Sequence, residues 1–153
     1  MIKVWHCPDE LFGSVGRTGT VRILENFHSF KLVAEVFSDD MNVAYERTNT
    51  IHGAWWESAV VKFLGSATHG RRGCRSTSIG DVLELEDGTL QIVASDGFTQ
   101  VDSTVIANAV HSMLRRPNGG DYVWAIRMVK AVSRPLKGLK EAKDYVDRLI
   151  GRT

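Results

Sequence analysis

The chain has 153 residues, of which 43% are hydrophobic and 24% charged, with two cysteines and a formal net charge of +1. This is an ordinary globular balance at the length of one domain, which excludes a disordered chain and a miniprotein that needs metal or disulfides to fold. No apolar run approaches the ~18 residues of a membrane span, and Met1 to Pro8 lacks the basic and apolar regions of a signal peptide. The expected setting is the cytoplasm, with no membrane partner and with Cys7 and Cys74 as reduced thiols, a disulfide between them being the alternative.

In chain order, Ile2 to Trp5 is a first strand, ended by Cys7-Pro8. Gly13 to Gly19, with three glycines in seven residues, is expected to be a flexible surface loop. Its Gly-x-x-Gly-x-x-Gly spacing, with no Lys-Ser or Lys-Thr after it, is not a phosphate loop. Phe30 to Phe37 is rich in β-branched and aromatic residues and reads as a second strand. Ser38, Asp39 and Asp40 then supply capping oxygens for a helix whose apolar positions Met41, Ala44, Tyr45 and Thr48 recur at i, i+3, i+4, i+7.

Trp55-Trp56 leads into a strand over Ala59 to Leu64, and the small, polar, basic run Gly65 to Ser78 reads as a loop. Asp81 to Glu86 and Thr89 to Ser95 are expected to form a hairpin across a type I′ turn at Asp87-Gly88. Asp96-Gly97 then turns into Phe98 to Val101, which completes a three-stranded meander. The remainder reads as helical. Ser103 or Thr104 caps Val105 to Arg115, and Pro117 to Gly120 interrupts. Asp121 caps a helix through Ser133, and a last helix, Leu139 to Ile150, ends at Gly151. On that helix Lys140–Asp144, Lys143–Asp147 and Asp144–Arg148 are i, i+4 pairs.

The fold class is therefore α+β: a small mixed or antiparallel sheet with a β-meander at about 81–101 and a C-terminal helical hairpin. Residues 1–116 form the β-rich body, and 121–153 form the hairpin packed on it within a single domain. The charge follows the same division. Residues 1–110 hold nine Lys/Arg against fourteen Asp/Glu, a net of −5, whereas 111–153 hold ten against four, a net of +6. An asymmetry of this kind points to an acidic partner or to the two parts packing on each other.

Two segments carry resemblances. Arg75-Ser76-Thr77-Ser78-Ile79-Gly80-Asp81, followed by Asp87-Gly88 and Asp96-Gly97-Phe98, is similar to the YodL-like domains, in which an Arg-Ser-x-Ser-x-x-Asp start leads into a β-meander. With the Trp5-His6-Cys7-Pro8-Asp9 opening, the arrangement resembles small proteins of actinobacterial phages. That resemblance implies a phage origin and assigns no catalytic residue. Met128 to Val132 and Gly138 to Val146 resemble the helical pair in the C-terminal domain of the bacterial ribosomal stalk protein, which contacts translational GTPases. Here the intervening turn, Ser133 to Gly138, is shorter and contains Pro135, so the resemblance implies a helix–turn–helix hairpin rather than a stalk function.

Three groups of residues are candidates for function. Arg127, Lys130, Arg134, Lys137, Lys140 and Lys143 are expected to project outward together across the C-terminal hairpin, as a patch for phosphates or for an acidic protein surface. The alternative is a solvated helical face. Arg71, Arg72 and Arg75, set among glycines and hydroxyls, have the groups of an anion-binding loop, with a plain solvated loop as the alternative. Trp55 and Trp56 are the interface aromatics if one of them faces outward, and core or rim residues otherwise.

His6, Cys7, His69 and Cys74 have metal-ligating atoms, but neighbouring side chains on a strand point to opposite faces, so no metal and no other cofactor is expected. No nucleophile elbow, His-Glu-x-x-His or paired-carboxylate motif is present, and no catalytic residue is assigned. The expected function is that of a phage accessory protein that binds and modulates a host protein with an acidic surface, without catalysis. The alternative is a nucleic-acid-binding regulator that uses the same basic hairpin.

Overall fold

Six antiparallel strands form one open sheet in the order β3-β2-β1-β4-β5-β6, and helices cover both of its faces. The structure is a computed structural model and describes residues 1–11, 15–50, 53–65, 74–116, 121–133 and 138–152. The strands are β1 (Ile2–His6), β2 (Lys31–Val36), β3 (Val61–Phe63), β4 (Val82–Glu84), β5 (Leu90–Ala94) and β6 (Gly97–Gln100). The helices are α1 (Val15–Asn26), α2 (Met41–Thr48), α3 (Ser103–Leu114), α4 (Tyr122–Val132) and α5 (Leu139–Leu149). The fold is α+β, as the alternation of patterns requires, and every pairing in the sheet is antiparallel.

Strand alternation divides the core in two. In β1, Ile2 and Val4 point to one face, where they meet Val33, Ala34, Val36, Leu83, Val93, Ala44 of α2 and Trp55. Trp5 points to the other, where Val82, Leu90 and Ile92 pack with Leu24 of α1, Val110 of α3, Val129 of α4 and Val146 of α5. Register sets this division: Val4 pairs with Leu83 on one face, and Trp5 pairs with Val82 on the other. β4 is buried at all three positions because both faces are covered: Val82 and Leu83 are apolar, and the buried Glu84 carboxylate accepts from Lys3 Nζ (3.2 Å) and Trp5 Nε1 (2.9 Å). The two C-terminal helices thus share an apolar cluster with the sheet. Tyr122 at the start of α4 donates to Asp147 near the end of α5, which makes the pair antiparallel.

Several elements differ from expectation, each for an identifiable reason. Val15 to Gly19, expected as part of a loop, belongs to the helix Val15–Asn26: Ile23 and Leu24 within it and Phe27 just beyond are buried, and their packing outweighs the roughly 1 kcal/mol that a glycine costs a helix. Gly19, at φ 71° and ψ 171°, divides it into two helical pieces. The Asp87-Gly88 hairpin is not a type I′ turn, because that turn needs positive φ at both central residues and only Gly88, at φ 84°, has it. Instead Glu86-Asp87-Gly88 is a three-residue loop, closed by the Leu85 N–H on the Thr89 carbonyl (2.9 Å) and the Gly88 N–H on the Leu85 carbonyl (2.9 Å).

The cap of α3 is Asp102, whose carboxylate accepts from the Val105 N–H at 2.9 Å, and Ser103 lies already within the helix. Asp40 and Asp121 cap α2 and α4 as expected, and Gly151 follows α5 at φ 70°. Trp55 and Trp56 lie in a 3-10 turn, Trp55–Glu57, that precedes β3. Gly13, Ser14 and most of the loop from Gly65, together with the break Pro117 to Gly120, lie outside the described residues.

Candidate functional site

Two places concentrate chemistry: the start of the meander and the outward face of the C-terminal helices. At the first, the tight turn Ser78 to Asp81 closes with the Asp81 N–H on the Ser78 carbonyl (3.0 Å), with Gly80 at φ 90°. This delivers the Asp81 carboxylate into the protein with no exposure at all. Its Oδ1 accepts from the Cys7 N–H (2.8 Å) and from Arg75 Nη2 (2.6 Å), and its Oδ2 accepts from the Ser78 N–H (2.8 Å) and Arg75 Nη1 (2.6 Å). Arg75 also donates to the carbonyls of Cys7 and Ser76, each at 3.1 Å. The guanidinium fork matches a carboxylate and two backbone carbonyls at once, a geometry that a lysine lacks.

The surrounding segment is tied to the α2 side of the sheet. The Thr77 N–H donates to the Thr48 carbonyl (2.8 Å), the Ser76 hydroxyl to the Thr50 carbonyl (2.9 Å), and Trp55 Nε1 to the Arg75 carbonyl (3.2 Å). The Arg-Ser-x-Ser-x-x-Asp pattern is therefore a clamp: its arginine and aspartate grip each other and the end of β1. Arg75, expected in an anion-binding loop, has its fork on Asp81 instead, because a buried carboxylate needs that charge more than a solvent anion does. Arg71 and Arg72 lie outside the described residues.

Beside the clamp, Cys74 Sγ lies 3.6 Å from His6 Nδ1, and His6 Nε2 lies 3.1 Å from the Thr77 hydroxyl and 3.8 Å from Asp81. The order thiol–imidazole–carboxylate invites a nucleophilic reading, and the electrostatics argue against one. Burial pushes the Cys74 thiol up. Burial first, then the Asp81 charge, push Cys7 up to about 12. Thiolate is the reactive and metal-binding form, so both sulfurs are held in the inert one. Both oxygens of Asp81 are, moreover, already engaged by the clamp. Cys7 and Cys74 are free thiols packed into different apolar clusters. Among the described residues no three His, Cys, Asp or Glu side chains are grouped to hold a metal ion. His69 lies outside them.

The second place is the outward face of α4. Val123, Arg127 and Lys130, at i, i+4 and i+7, share one exposed stripe, with Val123 at 55% exposure. Trp124 borders it, 37% exposed, held between the His28 ring (centroids 4.9 Å apart) and the Arg127 guanidinium, whose Cζ is 5.2 Å from the ring centre. On the other border Arg152 lies 5.3 Å over the Tyr122 ring. The basic residues are thus ordered partly by their own aromatics.

Of the expected patch, Arg127, Lys130, Lys140 and Lys143 are exposed, while Arg134 and Lys137 fall outside the described residues. Lys143 is ion-paired with Asp147, which also accepts from Tyr122. These two donors hold the Asp147 carboxyl below its ordinary range. With Glu141, Asp144 and Asp147 matching Lys140, Lys143 and Arg148, α5 carries no net charge, and of the two helices it is α4, with Arg127 and Lys130, that is basic.

Trp55 is 2% exposed and Trp56 half-buried, and Trp55 packs edge-on against both Trp56 and Phe63. The accessible tryptophan beside the basic stripe is instead Trp124, which its i, i+3 spacing to Arg127 would have flagged. No family model, curated protein or solved structure matches this chain. No helix among the described residues is long and apolar enough to cross a membrane.

Proposed function

We propose that this chain is a phage accessory protein that works in the cytoplasm of the infected host, where it binds and modulates a host protein without catalysis. The observation that carries this reading is the α4 face: an exposed valine, an ordered Trp124–Arg127 stack and Lys130 on one stripe. Tryptophan and arginine dominate interface hot spots, because they bring large contact area at little ordering cost. A tryptophan already fixed by His28 and Arg127 loses still less freedom on binding. The cations call for an acidic partner surface, which would speed encounter and fix orientation. The two protonated thiols add the negative half of the argument, since the Cys74–His6 pair is built for packing rather than attack.

The same stripe also suits a nucleic-acid strand, with Trp124 as a base-stacking platform and Arg127 and Lys130 on phosphates. The two readings separate in one experiment: affinity capture from an actinobacterial host lysate, with and without nuclease, followed by mass spectrometry. The proposal expects one stoichiometric protein, retained after nuclease. Recovery that disappears with nuclease, and binding to bare DNA or RNA that weakens steeply with salt, would replace it with the nucleic-acid reading. Recovery of nothing at all would overturn both.

A further inference from the structure

The open sheet has two free edges, and they are built differently. The β3 edge is three residues long and carries Lys62, the kind of short, charged border that keeps other strands away. The β6 edge, Gly97-Phe98-Thr99-Gln100, has no lysine, no proline and no break in its register with β5. The Val101 N–H bonds to the Leu90 carbonyl (2.9 Å), so by strand alternation the N–H and C=O groups of Phe98 and Gln100 point away from β5. Nothing among the described residues bonds to them. The surroundings are acidic. No lysine or arginine occurs between Arg75 and Arg115. Of the acids in that stretch, Asp81, Glu84 and Glu86 are matched by Arg75, Lys3 and the N-terminal ammonium. The exposed Asp87, Asp96 and Asp102 form no ion pair among the described residues. Asp96 precedes β6 and Asp102 follows it, with Asp87 beside Gln100 and Val101 in the wall of one cleft.

We infer that the β6 edge binds an extended, basic segment of a partner protein, which adds an antiparallel strand to the sheet and carries a lysine or arginine at each end. Phe98 and Gln100 each offer one N–H and one C=O to that strand. These main-chain bonds hold any extended sequence, and the aspartates at the two ends of β6 select a basic one. A residue opposite Phe98 packs on its ring, which Tyr45 supports edge-on with ring centres 6.1 Å apart. A second copy of this chain is a poor occupant. With Phe98 set against Gln100 of the copy, Asp96 meets Asp102 of the copy, and like charges directly opposite each other destabilise a strand pair. The surface is opposite in charge to the α4 stripe and is argued independently of it.

The test is NMR titration of the intact, isotope-labelled chain with the peptide acetyl-Lys-Val-Thr-Thr-Val-Thr-Lys-amide, whose lysines face Asp102 and Asp96 when its third and fifth residues face Gln100 and Phe98. One control peptide is N-methylated at those two residues, which removes the donors that face β6 and keeps every charge. A second has glutamate in place of both lysines. The expected result is saturable binding of the first peptide at up to millimolar concentration, with slowed hydrogen exchange at the Phe98 and Gln100 amides. Both controls should bind at least about fivefold more weakly. Asp96→Asn combined with Asp102→Asn keeps the α3 cap, since asparagine caps as well as aspartate, and should weaken binding at least about threefold. The inference is overturned if the first peptide does not bind, if either control binds as tightly, or if the double variant binds as wild type does. Protection of the same two amides that grows with protein concentration in the absence of peptide also overturns it, and assigns the edge to a second copy.

Discussion

Replacing Asp81 by Asn tests whether the Arg75–Asp81 clamp holds the start of the meander to β1. The substitution keeps the shape and one acceptor oxygen, but it leaves the Arg75 guanidinium, whose side chain is 20% exposed, without its anion. The Asp81 carboxylate also serves the Cys7 and Ser78 N–H groups, so one of these two loses its acceptor. Removing one partner of a buried ion pair costs roughly 3–5 kcal/mol, and the partial exposure of Arg75 places this case near about 3 kcal/mol. For a chain of this length each kcal/mol moves the midpoint by about 2–4 °C, so the melting temperature should fall by roughly 6–12 °C.

Arg75→Met should cost a similar amount, since it leaves the carboxylate buried and unpaired. The double variant should cost far less than the two single losses together, because the second change removes a charge already stranded by the first. Urea unfolding of the four proteins, followed by circular dichroism, gives the cycle directly. Losses that simply add, or an Asp81→Asn cost below about 1 kcal/mol, would refute the clamp.

Three further outcomes follow from the same structure. Asp102→Ala should destabilise by about 1 kcal/mol through loss of the α3 cap while Ser103→Ala changes little, and urea midpoints of the two variants decide between the caps. Gly88→Ala should cost about 1–2 kcal/mol, because alanine at φ 84° is strained, and a smaller loss in the same unfolding assay would show that the loop can rearrange. Cys7, lifted to about 12 by burial and by Asp81, keeps its proton in the folded state at pH values where the unfolded thiol, near 9.0, has lost it. The stability it contributes is therefore complete below about pH 9 and is lost as pH rises toward 12. Stability curves of wild type and Cys7→Ala should diverge in slope over that window, and parallel curves would contradict the assignment.

The fold was legible where local chemistry and tertiary packing agree. The α2 and α4 caps, the meander and the α5 terminus all announce themselves in a few residues, Asp40, Asp121, Asp96-Gly97 and Gly151. Legibility failed at α1, whose glycines argue against a helix while burial of Ile23, Leu24 and Phe27 requires one. It failed again at Asp87-Gly88, where the dipeptide that favours a two-residue turn serves a three-residue loop. At the candidate sites, the composition of 71–78 suggested an anion loop because charge is visible in sequence and its partner is not. Asp81 lies only six residues from Arg75, yet nothing local reveals that the chain turns back at Gly80 to bury it. The basic run in the C-terminal helices was visible. Its weight on α4 was not, because that depends on which acids each helix sets beside its lysines.

The central claim, that the outward face of α4 engages an acidic host protein, is tested most directly by comparative capture. Wild type, the double variant Arg127→Glu with Lys130→Glu, and a control reversal on the exposed Lys62 of β3 are presented to the same nuclease-treated lysate. The account predicts that wild type and Lys62→Glu recover the same stoichiometric partner, and that the α4 variant, folded to the same thermal midpoint, loses it. Equal recovery by all three proteins would contradict the claim.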